Sequence, residues 1–372
     1  MPTRIGQFEL VRLLAQGGMA DIYLARQDGL DRHVAVKILA AARAGDPESR
    51  TLFRDEARVL EMLSHGNLAS VYQVACDGQM PYLAMEFVHG VDLRVLMQAT
   101  HGIGAPAAVA IVRAAAAGLD HAHRRCDLDG KPLHLVHRDV SLSNIMVTHD
   151  GNVKVVDFGI ARTALSVHTT NPGIVRGKAA YMSPEQALGE PVDLRTDVFA
   201  LGIVLYELTT GRRCFDGNSD FERMLSVVRG EYLSPAACVP GYSPALAKII
   251  ACCLATDPDR RYASAAALID ALDQLVRTEG WMHGSTVIAA LMRQVYGDVP
   301  GPLGETAEVT GGSIVDARDE SQPVMMEPAP TVVARRLAKG TCSEPRPEPA
   351  IGDDDEPTRG RRSVPKMFRY AA

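Results

Sequence analysis

His137-Arg138-Asp139-Val140-Ser141-Leu142-Ser143-Asn144 is followed, one short hairpin later, by Asp157-Phe158-Gly159. Two apolar runs, 144–148 and 153–156, predict the strands of that hairpin, and Asp150-Gly151 between them is a strong turn signal. The other motifs in the chain are modest when taken alone, whereas this pair is highly specific. The order and spacing of the other motifs relative to this pair therefore decide how the chain is interpreted.

Upstream of this pair, the chain alternates apolar and polar residues, which predicts a small β-rich lobe. Strands are expected near residues 8–14, 22–25, 33–39, 70–74 and 82–87. Gly17-Gly18 and Asp28-Gly29 supply turns between the first three strands. After the third strand, Asp46 is a candidate N-cap for a helix that begins at Pro47 and carries an apolar stripe.

Downstream, from about residue 90, the pattern changes to helices. Helices are expected at 107–123, 197–209, 245–254 and 264–276, with one last amphipathic helix within 281–296. The expected fold class is therefore α+β. It has two lobes, a small β-rich N-terminal lobe and a larger, mostly helical C-terminal lobe.

Composition excludes several classes of protein. A net charge of -6 and a pI near 6.0 argue against a nucleic-acid partner, because phosphate binding needs a concentrated basic surface. The seven cysteines show no CxxC spacing and indicate reduced thiols in a cytosolic protein. The N-terminus lacks the apolar core of a signal peptide, and Arg113 interrupts the most apolar stretch, 105–122. We expect a cytoplasmic protein without a membrane span.

The C-terminal segment 298–372 differs in composition from the rest of the chain. It holds nearly half of the 22 prolines, an acidic run at 353–356 and a basic cluster at 359–362. Such a segment buries too little apolar area to offset the entropy lost on ordering. We expect a disordered tail that serves as a tether or as a phosphorylated docking segment for a partner.

Taken together, the motifs resemble those of the protein kinase family, and most of all the bacterial members of its eukaryotic-type (Hanks-type) serine/threonine group. The resemblance covers roughly residues 8–276 and includes three further motifs: Ser183-Pro184-Glu185, Asp197-Val-Phe-Ala-Leu-Gly202 and Asp257-Pro-Asp-Arg-Arg261-Tyr262. It implies a kinase domain over 8–277, with an N-lobe to about 88 and a C-lobe from about 89. A short helical extension, 278–297, and the tail would follow.

The resemblance also implies an ATP- and Mg²⁺-dependent phosphoryl transfer to protein substrates, with Mn²⁺ as a possible substitute. Lys37 would hold the α- and β-phosphates, and Glu56 would hold Lys37. Asp157 and Asn144 would ligate the cation, which prefers oxygen donors. Asp139 would accept or orient the proton of the substrate hydroxyl.

For the nucleotide itself, the resemblance implies a phosphate loop and an adenine pocket. Ala35 and Met146 would sandwich the adenine, and Met85 would be the gatekeeper. The other residues expected to contact the nucleotide are Ala15, Gly17, Gly18, Ala20, Ile22, and the backbone of Glu86 and Val88. Glu185 and Arg261 would form a structural ion pair in the C-lobe, and Asp197 would bind the backbone of the catalytic loop.

Three departures from the family pattern stand out. Ala15 and Ala20 occupy positions that are usually glycine, which restricts backbone freedom and predicts weaker nucleotide handling. Ser141 replaces the usual lysine two residues after Asp139, and Lys178 replaces the usual threonine after Gly177. One interpretation is a compensating exchange that makes Lys178 a catalytic cation; the other is two independent drifts.

Two questions of function stay open at this level. An active serine/threonine kinase is favoured over a pseudokinase, because no residue of the catalytic set is lost, and over a small-molecule phosphotransferase, because the activation segment is long. Tyrosine specificity is less favoured but remains open, since Ser141 removes a customary marker. We also expect autophosphorylation in the activation loop, with Thr169 or Thr170 as the favoured acceptor beside Arg138.

Overall fold

A computed structural model describes residues 3–30, 32–78, 80–127, 129–158 and 179–298. The described residues belong to one unit, residues 1–322, and a second unit, 323–372, lies outside them. The activation-loop positions Thr169, Thr170 and Lys178 and the tail from residue 299 onward also lie outside the described residues. The expected α+β fold class, with a β-rich N-terminal lobe and a mostly helical C-terminal lobe, is confirmed.

The N-terminal lobe is built on a six-stranded antiparallel sheet with the order β1-β2-β3-β4-β6-β5. Its strands are β1 (Arg4–Ile5), β2 (Phe8–Gln16), β3 (Ala20–Gln27), β4 (Arg32–Leu39), β5 (Val71–Asp77) and β6 (Met80–Glu86). Phe8, Val34 and Val36 are fully buried on one face of the sheet. Period-2 alternation places such residues on the same face of a strand, which is why the sequence pattern predicted these strands.

Two helices complete this lobe, α1 (Ala41–Ala44) and α2 (Pro47–Glu61). The side chain of Asp46 accepts hydrogen bonds from the backbone N–H groups of Glu48 and Ser49, and Pro47 is the first helical residue, as predicted. The buried face of α2 includes Phe53 and Glu56. A carboxylate is therefore carried on the side of α2 that packs against the sheet.

A second, three-stranded sheet lies at the start of the C-terminal lobe, with the order β7-β8-β9. Its strands are β7 (Gly90–Asp92), β8 (Ile145–Thr148) and β9 (Val153–Val155). β8 and β9 form the hairpin predicted from Asp150-Gly151, and Gly151 has a φ of +81°. β7 directly continues the chain that leaves β6, so this sheet links the two lobes through one short connection.

The rest of the C-terminal lobe is mostly helical in the residues that the structure describes. Its helices are α3 (Leu93–Thr100), α4 (Ala105–His123), α5 (Pro184–Leu188), α6 (Arg195–Thr210), α7 (Asp220–Arg229), α8 (Pro235–Cys238), α9 (Pro244–Cys253), α10 (Ala265–Glu279) and α11 (Ser285–Tyr296). Every residue of α6 from Thr196 to Leu208 is buried, as expected for a helix that is apolar on all sides. No helix among the described residues is long and apolar enough to cross a membrane.

Candidate active site

Three charged side chains meet between the lobes. Lys37 lies on β4, and its Nζ is 3.0 Å from Oε1 of Glu56 on α2 and 3.3 Å from Oδ1 of Asp157. Burial opposes the charged form of Lys37, but the carboxylates of Asp157 and Glu56 outweigh it and raise the Lys37 pKa. The Lys37 side chain therefore stays protonated and positively charged between the lobes.

Asp157 is held by its backbone and by its neighbour Phe158. Its φ is +53°, in the left-handed region that is costly for a residue with a Cβ. Phe158 is buried, and its ring centroid lies 4.5 Å from that of His137. This packing fixes the direction of the chain after β9 and turns the Asp157 carboxylate toward Lys37.

Asp139 and Asn144 form a polar pair in the catalytic loop, residues 137–144. Nδ2 of Asn144 donates to the backbone carbonyl of Asp139 at 2.8 Å and to Oδ2 of Asp139 at 3.0 Å. Because the amide spends its donors on Asp139, its carbonyl oxygen is the group left to act as a ligand. The backbone N–H of Val156 donates to the backbone carbonyl of Asn144 at 3.0 Å, which keeps Asn144 beside the segment that carries Asp157.

Asp197, at the start of α6, anchors the catalytic loop from below. Its carboxylate is 1% exposed and accepts the backbone N–H groups of His137 and Arg138, each at 2.8 Å. Nε2 of His123 on α4 lies 2.8 Å from the same carboxylate. Burial alone would raise the Asp197 pKa, but the hydrogen bond and charge of His123 and the contacts of His137 lower it. The anchor holds Arg138 at a φ of +64°.

The phosphate loop was expected at the turn between β2 and β3. The backbone N–H of Gly17 donates to the carbonyl of Ala20 at 3.0 Å, and a Cβ on Gly17 would lie 2.9 Å from that oxygen. Around Gly18 a Cβ would meet nothing within 4 Å. Ala15 pairs with Ile22 across the strands, and neither Ala15 nor Ala20 has a positive φ. The two alanine departures therefore impose no backbone strain, contrary to the reason given for expecting weaker nucleotide handling.

The predicted adenine pocket is lined from both sheets. Ala35 on β4 is in register with Met85 on β6, and both are buried, as is Val88. Met146 lies on β8, in register with Asp92. The two sheets that carry these residues are joined by the short segment 87–89, between β6 and β7.

The side chain of Glu86 points to a different set of partners. Its Oε2 accepts Nζ of Lys154 at 2.8 Å and the backbone N–H of Ser70 at 3.1 Å. Nζ of Lys154 also donates to the carbonyl of Leu68 at 3.3 Å. The Glu86 side chain thus ties the connection between the lobes to β9 and to the segment before β5. The backbone N–H of Glu86 donates to the carbonyl of Ser70 at 2.8 Å, so neither this N–H nor the side chain is left for a nucleotide.

Ser141 is buried, and its Oγ lies 3.1 Å from Oγ of Ser143. Lys178, its predicted counterpart, lies outside the described residues. Near the same loop, Nε2 of Gln186 donates to the carbonyl of Arg138 at 3.0 Å, while Ser183 and Gln186 form a capping box at the start of α5. The capping box was readable as Ser-x-x-Gln, but its contact with the catalytic loop was not.

The predicted structural ion pair is present in the C-terminal lobe. The Arg261 guanidinium donates to both carboxylate oxygens of Glu185, at 2.8 and 2.7 Å, and both side chains are buried. Besides Gln186, sequence reasoning missed His123, which contacts Asp197, and Lys154, which contacts Glu86. Each is an ordinary residue of a helix or strand, with no local pattern that marks it.

Comparison with known proteins identifies the relatives of the chain. Residues 8–272 match the family profile described as protein kinase domain. The chain is 36% identical over 300 residues to tyrosine-protein kinase MasK of Myxococcus xanthus (strain DK1622), covering 79% of this chain and 46% of that protein. It is 37% identical over 255 residues to serine/threonine-protein kinase PknL of Mycobacterium bovis, covering 68% and 62%.

A third curated relative and a solved structure are also similar to this chain. Serine/threonine-protein kinase PrkC of Bacillus subtilis (strain 168) is 37% identical over 260 residues, which cover 70% of this chain and 39% of that protein. Among solved structures, the PknI kinase domain of Mycobacterium tuberculosis (C20A mutant) superposes with a TM-score of 0.55 at 28% identity, covering 72% of this chain and 95% of that one. The matched region thus spans 39 to 62% of the length of these three curated relatives.

Proposed function

This chain belongs to the protein kinase family, and on that premise we propose that it phosphorylates serine and threonine hydroxyls of protein substrates in bacterial signalling. The family uses ATP and a divalent cation. We propose Mg²⁺ as the cation, with Mn²⁺ as a substitute, and autophosphorylation within the activation loop. Support comes from the serine/threonine kinases PknL and PrkC among the relatives and from the side-chain geometry between the lobes.

One observation carries the proposal: a group of three charged side chains and a polar pair lie in the same cleft. Lys37 is bound to Glu56 and Asp157, while Asn144 is bound to Asp139 and to the backbone just before Asp157. Phosphoryl transfer requires in-line positioning and neutralisation of phosphate charge more than covalent chemistry. A fixed ammonium, a carboxylate and an amide oxygen in one place meet those requirements without rearrangement.

We assign the roles as follows. The Lys37 ammonium binds the α- and β-phosphates, and Glu56 fixes its direction. The Asp157 carboxylate and the Asn144 carbonyl oxygen are hard donors that fit a small divalent cation. When bound, that cation neutralises charge on the phosphates. Asp139 orients the substrate hydroxyl and takes its proton as the oxygen attacks the γ-phosphorus. The bond from the γ-phosphorus to the β,γ-bridging oxygen breaks, and ADP is the leaving group.

Transfer to tyrosine is the second candidate. It is favoured by Ser141, which stands where serine/threonine kinases usually carry lysine, and by the printed name of the relative MasK. A buried Ser141 that bonds to Ser143 brings no positive charge to the catalytic loop. The first candidate is preferred because the other relatives compared above are serine/threonine kinases.

The deciding experiment labels the purified full-length chain with γ-³²P-ATP and MgCl₂, followed by phosphoamino acid analysis. We expect phosphoserine and phosphothreonine, and no label in Asp139→Asn or Asp157→Ala. Asp129→Asn, which changes an exposed carboxylate in the turn after α4, is the matched control and should label as wild type. Phosphotyrosine alone would favour the second candidate, and undiminished label in Asp157→Ala would refute the assigned site.

The remaining features of the chain complete the proposal. We propose that the kinase domain, 8–277, is followed by a helical extension over 278–297. Residues 298–372 would act as a tether or a phosphorylated docking segment for a partner protein, which is supported by their composition. A cytoplasmic location is supported by the unpaired cysteine usage.

A further inference from the structure

Helix α11 lies beyond residues 8–272, the part of the chain that matches the family profile. It is nevertheless part of the same core. Ile288 and Met292 on its inner face are 2% and 0% exposed and belong to the hydrophobic cluster built around α4. Burial of two large apolar side chains stabilises the docked position of a helix of this length.

Helix α11 packs directly against the turn between β8 and β9. Gly151 in that turn is buried with a φ of +81°, and a Cβ there would lie 2.6 Å from the backbone N of Ala289 and would clash with the carbonyl of Ser285. The turn and the helix are thus in direct backbone contact. A side chain at position 151 could be accommodated only by moving α11 away from the hairpin.

From the end of α11, a chain of ring contacts leads to the segment between the lobes. The ring centroids of Tyr296 and His149 are 6.0 Å apart, those of His149 and His89 5.8 Å, and those of His89 and Phe87 6.3 Å. Each distance is within the range of interacting aromatic pairs. Phe87 and His89 flank Val88, whose backbone is expected to bind adenine.

A second connection runs through the backbone. β7 continues the connecting segment and pairs with β8, where Asp92 is in register with Met146. Met146 is the expected floor of the adenine pocket. The turn that contacts α11 is at the far end of this same strand. Helix α11 therefore supports two parts of the pocket: the connecting segment, and strand β8, which carries Met146.

We propose that α11 is a positioning element of the nucleotide site: through Gly151, His149 and Tyr296, it holds the connecting segment 87–90 and strand β8 in the geometry that binds adenine. The inference rests on the proposed function, because it takes the cleft to be the ATP site. Its consequence is specific. Loosening α11 weakens nucleotide binding and leaves the transfer step itself unchanged, since Asp139, Asn144 and Lys37 are held by other contacts.

Tyr296 offers a clean distinction between ring and hydroxyl. Its OH is buried and has no hydrogen-bond partner among the described residues. The ring therefore carries the contact with His149, and Tyr296→Phe should preserve it while Tyr296→Ala removes it.

The experiment compares four full-length variants: Gly151→Ala, Gly130→Ala, Tyr296→Ala and Tyr296→Phe. Gly130 is the matched control, because it also has a positive φ, +80°, but a Cβ there would meet nothing within 4 Å. The measurements are the dissociation constant of ADP with MgCl₂ by calorimetry, KM for ATP and kcat on a protein substrate, and the thermal midpoint. Gly151→Ala and Tyr296→Ala should weaken ADP binding and raise KM for ATP roughly threefold to tenfold, the range that the loss of one aromatic contact predicts. Their kcat should stay within about twofold of wild type. Gly130→Ala should match wild type in ADP affinity, KM and kcat, and its thermal midpoint should fall only by the cost of a Cβ at positive φ, a cost that Gly151→Ala shares. Tyr296→Phe should match wild type in every measurement.

Several results would overturn the inference. Unchanged ADP affinity in Tyr296→Ala would do so. Equal ADP affinities of Gly151→Ala and Gly130→Ala would also do so, as would a lower thermal midpoint of Tyr296→Ala with its nucleotide constants unchanged. If Gly151→Ala does not fold, the Tyr296 pair decides alone. A wild-type protein that binds ADP but transfers no phosphate would refute the proposed function, while the ADP affinities of the variants would still test the role of α11.

Discussion

Replacing Arg261 by methionine should strongly destabilise the C-terminal lobe. The side chain of Arg261 is 0% exposed and donates to both carboxylate oxygens of Glu185. It also donates to the backbone carbonyls of Ala255, Thr256 and Arg195, at 2.8, 3.1 and 3.2 Å. Methionine fills a similar volume but leaves a buried carboxylate and three carbonyl groups without these donors.

The size of the effect follows in two ways. Removing one partner of a buried, hydrogen-bonded ion pair costs about 3–5 kcal/mol. Although burial raises the Glu185 pKa, the hydrogen bonds from Arg261 and Thr196 outweigh it and lower the pKa from 4.5 to about 2. That difference corresponds to about 3 kcal/mol of stability. Because the folded pKa is depressed, this stability is present above pH 4.5 and is lost as the pH falls toward 2.

Thermal unfolding followed by circular dichroism at pH 7 measures the effect. For a domain of this size, the expected loss lowers the midpoint by roughly 6–20 °C. Arg26→Met is the matched control: Arg26 pairs with Glu9 at 3.2 Å on the surface, where both side chains are more than half exposed, so the change should be within about 1 kcal/mol. The difference between Arg261→Met and wild type should also shrink as the pH falls below 4.5. A midpoint drop no larger than that of Arg26→Met would refute the reasoning.

Three further predictions concern the segments that surround the site. Lys178→Ala should lower kcat tenfold to a thousandfold, roughly the cost of losing one preorganised charge, with KM for ATP unchanged. The double variant Ser141→Lys with Lys178→Thr should restore much of the lost kcat. Near-wild-type turnover in Lys178→Ala would mean that the two departures are unrelated. Truncation after residue 297 should leave steady-state kinetics on a peptide substrate nearly unchanged, and a large fall in kcat would contradict a dispensable tail. Mass spectrometry of active protein should find phosphate within residues 160–178, and its absence there would exclude control by activation-loop phosphorylation.

Much of the fold was readable because its signals are local. The alternation around Val34 and Val36, the Asp46 cap before Pro47, and the Asp150-Gly151 turn each act over a few residues, and the structure has strands, a helix and a hairpin at these places. Short elements such as β7 and α3 were missed, because three to eight residues carry too little periodicity to be recognised.

Within the candidate site, the sequence determined which residues are present and in what order. The catalytic set Lys37, Glu56, Asp139, Asn144 and Asp157 was named from motifs that resemble those of the protein kinase family, and the structure brings its members together. This was possible because a motif records the chemistry that a site requires. The same spacing carried no information about the conformation of Ala15 and Ala20, whose backbones turned out to be ordinary.

Only the tertiary structure decided which distant side chains support that set. His123 reaches Asp197 from 74 positions away, Lys154 reaches Glu86 from 68, and α11 closes on Gly151 from beyond the end of the family match. These contacts depend on how helices and sheets pack, which is set by the sum of many weak interactions across the whole core. A residue's own neighbours in the chain do not encode its partner in space, so the sequence named the chemistry and packing alone determined what holds it in place.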